Sequence, residues 1–372
     1  MTLARALPSR RSFLSLALLP AIARATGRGT ALPSAFSRYE DAATDLPVTR
    51  LTDPAITSFL PPPESSSIAR RGNTMLYAAD VSGRLEVYRM DLKKGESHQV
   101  TEAEMLHPAN FSLLPDERGL CYVDGNRLMT SGFSAAKAMQ VYKIPEGFEA
   151  GRGLHLSADG MYAALIERRS AMHRLQLIAM RTGVASTLAE AAEEISAPLT
   201  RPKRASVLYR RAGDLYLANF DGKQNYRLRV AEGDAIQTSW SPEGRSLLYL
   251  NVPSEAGKLN SIREFVPDTN EDRPVADTTQ FAGFARNSDA SVFVGASGSK
   301  ASPYVLLLVR AVKRELTLCE HRASNPSMVA PIFSPNSQQV FFGSDLHGKP
   351  AIYRMDVEKL VSDTAQTDGA FR

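Results

Sequence analysis

The sequence predicts an all-β protein, a seven-bladed β-propeller of four-stranded blades, from two observations. One pattern occurs seven times along the chain: a turn rich in Pro, Asp, Asn or Gly, a β-rich run, a polar turn and a second β-rich run. The starts of successive copies are 40 to 48 residues apart. A period of about 40–50 residues that holds four short strands is typical of propeller blades.

The seven copies share their turn and strand composition. They begin with RRGNTMLYAAD (70–80), LPDERGLCYVD (114–124), SADGMYAALIE (157–167), RPKRASVLYRR (201–211), SPEGRSLLYLN (241–251), RNSDASVFVGA (286–296) and SPNSQQVFFGS (334–344). Short runs rich in Val, Leu, Tyr and Phe and bounded by turn residues indicate strands rather than helices. The one extended run of helical composition is ASTLAEAAEEI (185–195), which we predict to be a loop helix or a polar turn.

Ring closure requires the first and last blades to share strands. The seventh copy ends near Leu360, and the early segment PVTRLTDP (47–54) has the Leu-Thr ending that follows other copies. We therefore predict that PVTRLT supplies the outer strand of the last blade, because this arrangement avoids an open sheet edge. The propeller is predicted over residues 26–360, followed by a polar C-terminal tail over residues 361–372.

The N-terminus has the pattern of a twin-arginine signal peptide over residues 1–25. Arg10 and Arg11 lie within SRRSFL, ahead of the apolar run FLSLALLPAIA and an Ala-Arg-Ala cleavage site. The apolar run is shorter than the roughly 20 residues of a spanning helix and contains Pro20. We expect a periplasmic or secreted protein with no membrane span in the mature chain.

Export also removes the net positive charge. The chain has 44 Lys and Arg against 40 Asp and Glu, and residues 1–25 contain four arginines and no acid, which leaves 40 of each sign. A neutral chain without a dense basic run is not predicted to bind nucleic acid. The two cysteines, Cys121 and Cys319, lie in separate copies and are predicted to be buried thiols rather than a disulfide.

Several segments resemble the oligogalacturonate lyase family, whose members are seven-bladed, TolB-like propellers. They are RYEDAATDLPVTRLT (38–52), APLTRP (197–202), EGDAIQTSWSPEG (232–244), LCEHRAS (318–324) and FSPNSQQVFFGSDLHGKPAIYRMDV (333–357). The resemblance implies β-elimination of short pectin fragments, with a Mn²⁺-type cation in the channel. Such a cation would hold the uronate carboxylate and make the C5 proton more acidic for a nearby base.

The resemblance also implies a metal site of histidines and one amide, and the sequence departs from it. Where the family has His-Pro-His-Pro, this chain has Met328-Val329-Ala330-Pro331. Gln237 and Ala197 stand at two further histidine positions, and the amide position falls near Asn325. The segment FLPPPESSS (59–67) replaces an early loop with histidine and aromatic residues. Hard cations prefer imidazole or oxygen ligands, so we predict that this chain binds no metal cofactor there.

The histidines that are present provide no substitute ligand set. His98, His107, His155, His173, His321 and His347 show no close ligand spacing. His107 and His155 could face the channel from adjacent blades, but a third ligand is lacking. His321 is interpreted as a structural residue at a blade edge and His347 as a turn residue.

Arg201 is the predicted catalytic residue, because it matches the arginine of the family's blade-four loop. It could bind a uronate carboxylate or assist proton abstraction. The alternative is that it caps carbonyl groups at a blade turn. Gln237 and Arg152 are the other predicted substrate-binding residues, together with Arg201.

Two functions stay open at this point. The first is a family member that binds or cleaves an oligogalacturonide or another acidic oligosaccharide. The second is a non-catalytic, TolB-like module that presents an apolar channel mouth to an envelope protein. That mouth would include Phe59, Leu60, Met328, Val329 and Ile332. The sequence predicts no oligomeric state.

Overall fold

A computed structural model of the chain describes residues 27–135 and 137–360. The predicted signal peptide (1–25) and the predicted polar tail (361–372) lie outside the described residues. Within the described part, thirty strands form seven antiparallel sheets, and one short 3₁₀-helix is present. The predicted seven-bladed β-propeller is therefore confirmed.

The strands follow one another with short turns along the chain. In chain order they are β1 (Ala31–Leu32), β2 (Ser37–Glu40), β3 (Pro47–Arg50), β4 (Ser58–Phe59), β5 (Thr74–Asp80), β6 (Leu85–Asp91), β7 (Ser97–Gln99), β8 (Phe111–Leu113), β9 (Gly119–Asp124), β10 (Arg127–Gly132), β11 (Met139–Lys143), β12 (Glu149–Leu156), β13 (Tyr162–Arg169), β14 (Met172–Ala179), β15 (Ala185–Ala191), β16 (Ile195–Thr200), β17 (Ser206–Arg211), β18 (Asp214–Asn219), β19 (Asn225–Arg227), β20 (Asp234–Trp240), β21 (Leu247–Val252), β22 (Asn260–Val266), β23 (Glu271–Thr278), β24 (Phe281–Arg286), β25 (Val292–Ser297), β26 (Tyr304–Val309), β27 (Arg314–Glu320), β28 (Ile332–Phe333), β29 (Gln339–Ser344) and β30 (Ala351–Asp356). The 3₁₀-helix spans Pro326–Met328.

Blades two to six are four-stranded meanders in chain order, and each begins with its innermost strand. The innermost strands of these blades are β8, β12, β16, β20 and β24. Blade one has the order β1-β7-β6-β5-β4 and blade seven the order β2-β3-β30-β29-β28. Both therefore carry a fifth strand at the outer edge, supplied by the N-terminal segment.

The predicted ring closure is confirmed by the pairing of β3. Thr49 pairs with Arg354 and Arg50 with Tyr353, so PVTR forms the fourth strand of blade seven. β2 pairs with β3 and covers its free edge. β30 would otherwise expose unpaired backbone groups at the outer edge of blade seven. It is covered by β3, and β3 is covered in turn by β2.

The core lies between the faces of neighbouring blades. One cluster joins β25, β26 and β29 to β5 and β6 across the closure, through residues such as Val294, Leu307, Phe341 and Tyr353. Alternating buried residues on the two central strands of each blade supply these faces, because successive side chains of a strand point to opposite sides. The two cysteines are buried and free, as predicted.

The prediction for residues 185–195 is wrong, since the segment forms β15, the turn after it and the first residue of β16. β15 pairs with β14 along its length, from Ile178 opposite Ala185 to His173 opposite Ala191. Leu188 and Ala191 are buried against blade four. Sheet pairing and burial therefore override the helical preference of an Ala- and Glu-rich run. In the described residues, no helix is long and apolar enough to span a membrane.

Candidate functional site

The central channel is surrounded by the innermost strands, and these strands are irregular. The pairing of innermost and second strand shifts register in blades three, four, five and six. Each shift marks a β-bulge or a similar irregularity of pairing, and bulges redirect side chains and are common next to active sites. The residues at these shifts include Arg152, Ala197, Gln237 and Ala282, so they include two predicted substrate-binding residues and one position that resembles a family histidine.

Two of these bulged residues, and one residue before the innermost strand of blade seven, have left-handed backbone without being glycine. Ala197 has φ 49°, Gln237 has φ 47° and Ala330, which precedes the innermost strand of blade seven, has φ 31°. This conformation costs a residue with a Cβ about 1–2 kcal/mol. At all three positions, the resemblance to the family implies a histidine that binds the metal, and this chain has a different residue. The unusual backbone is therefore found where the family is expected to place ligands.

A strap, defined here as residues 60–66, crosses into the channel from blade one. Phe59 pairs with Ala78, and Ile68 bridges to Met75, so residues 60–67 stand opposite residues 76 and 77 alone. The Ser66 carbonyl accepts hydrogen bonds from the Leu113 backbone N–H at 2.7 Å and the Ser112 hydroxyl at 3.3 Å. The innermost strand of blade one is thus interrupted, and the inserted segment is attached to blade two.

Glu64 connects the strap to blades three and five through two contacts. Its carbonyl oxygen lies 3.0 Å from Nε2 of His155, and its Oε1 accepts from Nε2 of Gln237 at 3.5 Å. Glu64 also lines two cavities of about 300 and 360 Å³ at the end of the channel where the innermost strands finish. Burial raises the pKa of Glu64, and its own backbone N–H and the charge of Arg210 only partly oppose this shift.

The sequence analysis did not select Glu64, because a Pro- and Ser-rich loop carries no recognisable motif. The one signal was the length of the segment between Phe59 and the next strand. The length of this segment predicts an insertion, but it does not predict which residues the inserted side chains contact.

His155 is fully engaged by neighbouring groups. The backbone N–H of Thr200 donates to Nδ1 at 3.2 Å, which leaves Nε2 to carry the proton and donate to the Glu64 carbonyl. Burial lowers the pKa of His155 to about 4. Since one ring nitrogen accepts and the other donates, His155 has no lone pair left for a metal.

The donors at the predicted metal positions do not fit a hard divalent cation. Ala197 and Ala330 offer methyl groups, and the amide nitrogen of Gln237 points to Glu64. The Asn325 side chain, at the expected amide position, accepts from the backbone N–H of Ser327 as the cap of the 3₁₀-helix. Among residues 27–135 and 137–360, no group of three or more His, Cys, Asp and Glu side chains is arranged to hold a metal ion.

Arg201 is directed at the turns of blade five and is 7% exposed. Its Nε donates to the Gly244 carbonyl at 2.6 Å, and its Nη2 donates to Asp268 Oδ1 at 3.1 Å. The guanidinium carbon lies 5.1 Å from the ring centre of Trp240. These are the contacts that the carbonyl-capping alternative predicts.

Arg152 is exposed on the bulge of blade three. Its charge adds to burial in lowering the pKa of His107. His107 lines a further cavity of about 610 Å³ together with Asn110, Asn126, Glu149 and Arg168. The structure therefore groups Gln237 with Glu64 and His155, groups Arg152 with His107, and ties Arg201 to blade five.

Two of the residues predicted to form an apolar channel mouth, in the second hypothesis, are buried in the core instead. Val329 is 0% exposed and Ile332 is 6% exposed, and both belong to the core cluster at the blade closure. His321 is also buried: Nε2 contacts the Ser297 carbonyl at 3.2 Å and Nδ1 accepts from the Ala323 backbone N–H at 3.1 Å. This arrangement agrees with the structural interpretation of His321.

Comparison with known proteins points to one family. Residues 26–305 match the family profile described as oligogalacturonate lyase. An oligogalacturonide lyase of Pectobacterium atrosepticum is 24% identical, over 88% of this chain and 97% of the relative. An oligogalacturonate lyase of Dickeya dadantii is 22% identical with the same coverage.

Two solved structures share the fold. One is an oligogalacturonate lyase in complex with manganese, with a TM-score of 0.83 and 24% identity over 89% of this chain and 98% of that chain. The other is an oligogalacturonate lyase from Vibrio parahaemolyticus, with a TM-score of 0.82 and 24% identity over 89% and 99% of the two chains. Because the family profile matches well over half of the sequence, the chain belongs to the oligogalacturonate lyase family.

Proposed function

We propose that this protein binds short oligogalacturonides in its channel and does not eliminate them by a metal-assisted route. Family membership over nearly the full length of the relatives supports the ligand class. The observation that supports the absence of metal-assisted elimination is the identity of the three residues with left-handed backbone, which are Ala197, Gln237 and Ala330.

The reason lies in the charge that β-elimination generates. Removing the C5 proton of a uronate places negative charge next to a carboxylate that is already ionised. An enzyme must stabilise that charge with preorganised donors or a cation. In the described channel, two of the three left-handed positions offer only methyl groups, and the third offers one amide that already faces Glu64.

The proposal is tested on purified residues 26–372 with a digalacturonate and a mixture of oligogalacturonides of different esterification. Titration calorimetry should detect binding that a chelator leaves unchanged. The ultraviolet absorbance of an unsaturated uronate should stay flat with and without Mn²⁺. Growth of that absorbance only after Mn²⁺ is added would contradict the loss of the metal-assisted route, and absence of binding to every oligogalacturonide would contradict the ligand class.

We further propose that the protein works in the periplasm or outside the cell. The support is the arrangement of Arg10 and Arg11 ahead of a short apolar run and a small-residue cleavage site. Replacing both arginines by lysine should retain the protein in the cytoplasm, and cell fractionation measures this. Unchanged export of the double variant would exclude the twin-arginine route.

A further inference from the structure

We infer that Arg152 binds the carboxylate of a uronate residue on the channel side of blade three, that His107 donates to a hydroxyl group of the same ligand, and that Asn110 is the positioning residue for Arg152. This inference rests on the proposed function and identifies the residues that recognise the acidic sugar. All three residues lie where blades two and three meet.

Both neighbours of Arg152 in the chain have to be glycine. A Cβ on Gly151 would lie 2.8 Å from Cγ2 of Ile166. A Cβ on Gly153, whose φ is 107°, would lie 2.8 Å from Cδ of Pro198. A carbon atom at either place would force the backbone to move, so the two glycines permit the irregular stretch of β12 that carries Arg152.

Asn110, just before the innermost strand of blade two, holds this stretch from the neighbouring blade. Its side-chain amide donates to the Gly151 carbonyl at 2.9 Å, and its side-chain oxygen accepts from the Gly153 backbone N–H at 2.8 Å. Asn110 is 5% exposed. Because both polar groups of this buried side chain bind the residues on either side of Arg152, Asn110 fixes the place from which the Arg152 side chain projects.

Arg152 is a cation that the protein leaves available. Among the residues at the register shifts of the innermost strands, it is the only charged one. Its exposed side chain makes no hydrogen bond or ion pair within the described part of the chain. Arg201 and Arg286, by contrast, donate to the carbonyls of Gly244 and Trp240. A guanidinium without a protein partner matches a carboxylate in a bidentate arrangement.

His107 supplies a neutral donor near Arg152. Its Nδ1 accepts from the Ala109 backbone N–H at 3.0 Å, so the proton of the neutral ring is on Nε2. Burial, with a smaller contribution from the charge of Arg152, lowers the pKa of His107 and keeps the ring neutral at neutral pH. Nε2 has no hydrogen-bond partner in the part of the chain that the structure describes, and it is therefore available to a sugar hydroxyl.

The cavity of about 610 Å³ between blades two and three adjoins these groups. His107 and Asn110 line it, and its volume lies within the roughly 300–1,000 Å³ that is typical of ligand pockets. Glu149 is the one acidic residue of its lining and is paired with Arg168 at 3.3 Å. An acidic sugar residue in this cavity therefore meets no unpaired carboxylate of the lining.

The first test compares trigalacturonate with its fully methyl-esterified form by titration calorimetry on residues 26–372. Arg152→Gln should weaken binding of the acid about tenfold or more, because it removes a charge-assisted contact, and should leave the ester within about twofold of the wild type. Arg181→Gln is the matched control, because Arg181 is an exposed arginine in the turn after β14 of the same blade, and both affinities should stay unchanged.

His107→Asn keeps a side-chain acceptor for the Ala109 N–H and removes the Nε2 donor. It should weaken both ligands by about threefold or more, since the acid and the ester carry the same hydroxyl groups. Unchanged binding of both ligands to this variant overturns the role of His107.

Asn110→Ala tests the positioning role, because a residue that only supports the fold would weaken both ligands alike. If Asn110 acts through Arg152, this variant should weaken the acid more than the ester. The double variant with Arg152→Gln should then bind the acid no more weakly than Arg152→Gln alone. Additive losses in the double variant overturn the positioning role. Acid and ester are compared on one and the same variant, so partial loss of folded protein affects both ligands equally.

The outcomes separate the two proposals. Equal weakening of acid and ester by Arg152→Gln, or unchanged binding of both, overturns the role of Arg152 and leaves the proposed function standing. Failure of the wild type to bind either ligand overturns the proposed function and this inference with it.

Discussion

Oε1 of Glu64 and Nε2 of Gln237 lie 3.5 Å apart, so a side chain from blade one meets a side chain from blade five inside the channel. The contact joins residues 173 positions apart in the sequence. It means that the strap, and not only the bulged strands, determines which chemical groups the channel presents.

Two glycines of blade six should differ sharply when they are replaced by alanine. A Cβ on Gly295 would lie 2.5 Å from ring atoms of the buried Phe281, whereas a Cβ on Gly283 would lie 2.9 Å from the flexible end of Gln237. Gly295→Ala should therefore lower the free energy of unfolding by about 1–3 kcal/mol, as overpacking of a rigid core does. Denaturant unfolding measures both variants.

Gly283→Ala is the control for that comparison, because Gln237 can rotate away. It should cost clearly less stability than Gly295→Ala while it moves the amide from Glu64. Equal losses of stability in the two variants would show that Gln237 is held as rigidly as a core side chain.

Arg201→Ala should lower stability by about 1–3 kcal/mol, because it leaves the Gly244 carbonyl without its donor and Asp268 without its closest cation. Arg204→Ala is the control, since Arg204 is exposed and 3.9 Å from Asp268, and its effect should stay within about 0.5 kcal/mol. Calorimetric binding of an oligogalacturonide should be unchanged in both. Weakened binding by Arg201→Ala at unchanged stability would instead restore Arg201 to the ligand site.

His155 should make the fold sensitive to acid. Its pKa is lowered to about 4 in the folded state from the 6.5 of a free histidine, so the unfolded chain binds the additional proton. Stability is therefore complete above the unfolded value and falls as the pH drops towards the folded one, by at most about 3 kcal/mol. Urea unfolding of the wild type at about pH 7 and about pH 4 measures the loss.

The comparison for His155 is His155→Gln, which does not titrate in this range. This variant should be less stable than the wild type at neutral pH, but its free energy of unfolding should fall less between the two pH values. His98→Gln, at an exposed position, should lose as much as the wild type. The explanation fails if His155→Gln and the wild type lose the same amount.

Residues 40–55 should be essential for a cooperative fold, whereas residues 27–36 should not. The first segment holds β3, which pairs with β30, and Leu51, whose N–H donates to the Ile352 carbonyl at 2.7 Å. The second holds only β1, the fifth strand of blade one. Thermal unfolding should lose its single transition in the first deletion and keep it in the second. A sharp transition without residues 40–55 would mean that blade seven closes by other contacts.

Local patterns predicted the fold well, because each strand and turn is encoded within its own copy of the repeat. The closure followed from the Leu-Thr ending near residue 52, and the structure confirms it. Residues 185–195 were mispredicted because pairing with β14 decides their conformation. The candidate site was harder to predict from the sequence. The left-handed backbone of Ala197 and Gln237 has no glycine to indicate it, and Glu64 contacts Gln237 only when blades one and five come together in the ring.

Restoring histidines should rebuild a metal site, because three of the four positions, Ala197, Gln237 and Ala330, already have the left-handed conformation that histidine tolerates better than most residues. The variant carries four substitutions: Ala197→His, Gln237→His, Met328→His and Ala330→His. Its midpoint of thermal unfolding should rise with Mn²⁺, by the equivalent of about 2.7 kcal/mol at a concentration 100 times the dissociation constant. The wild type should show no such rise.

The matched control for this variant places histidines at left-handed residues of separate turns, as Lys203→His, Ala212→His and Ala290→His. Mn²⁺ should not stabilise it, because Lys203 and Ala212 lie in two different turns of blade four and Ala290 lies in a turn of blade six. If the fourfold variant also gains no stability from Mn²⁺ while it still unfolds cooperatively, then the strap and Glu64 have altered the channel beyond its ligands. Shortening the strap in that variant is then the change that should restore metal binding, since Glu64 of the strap contacts both His155 and Gln237.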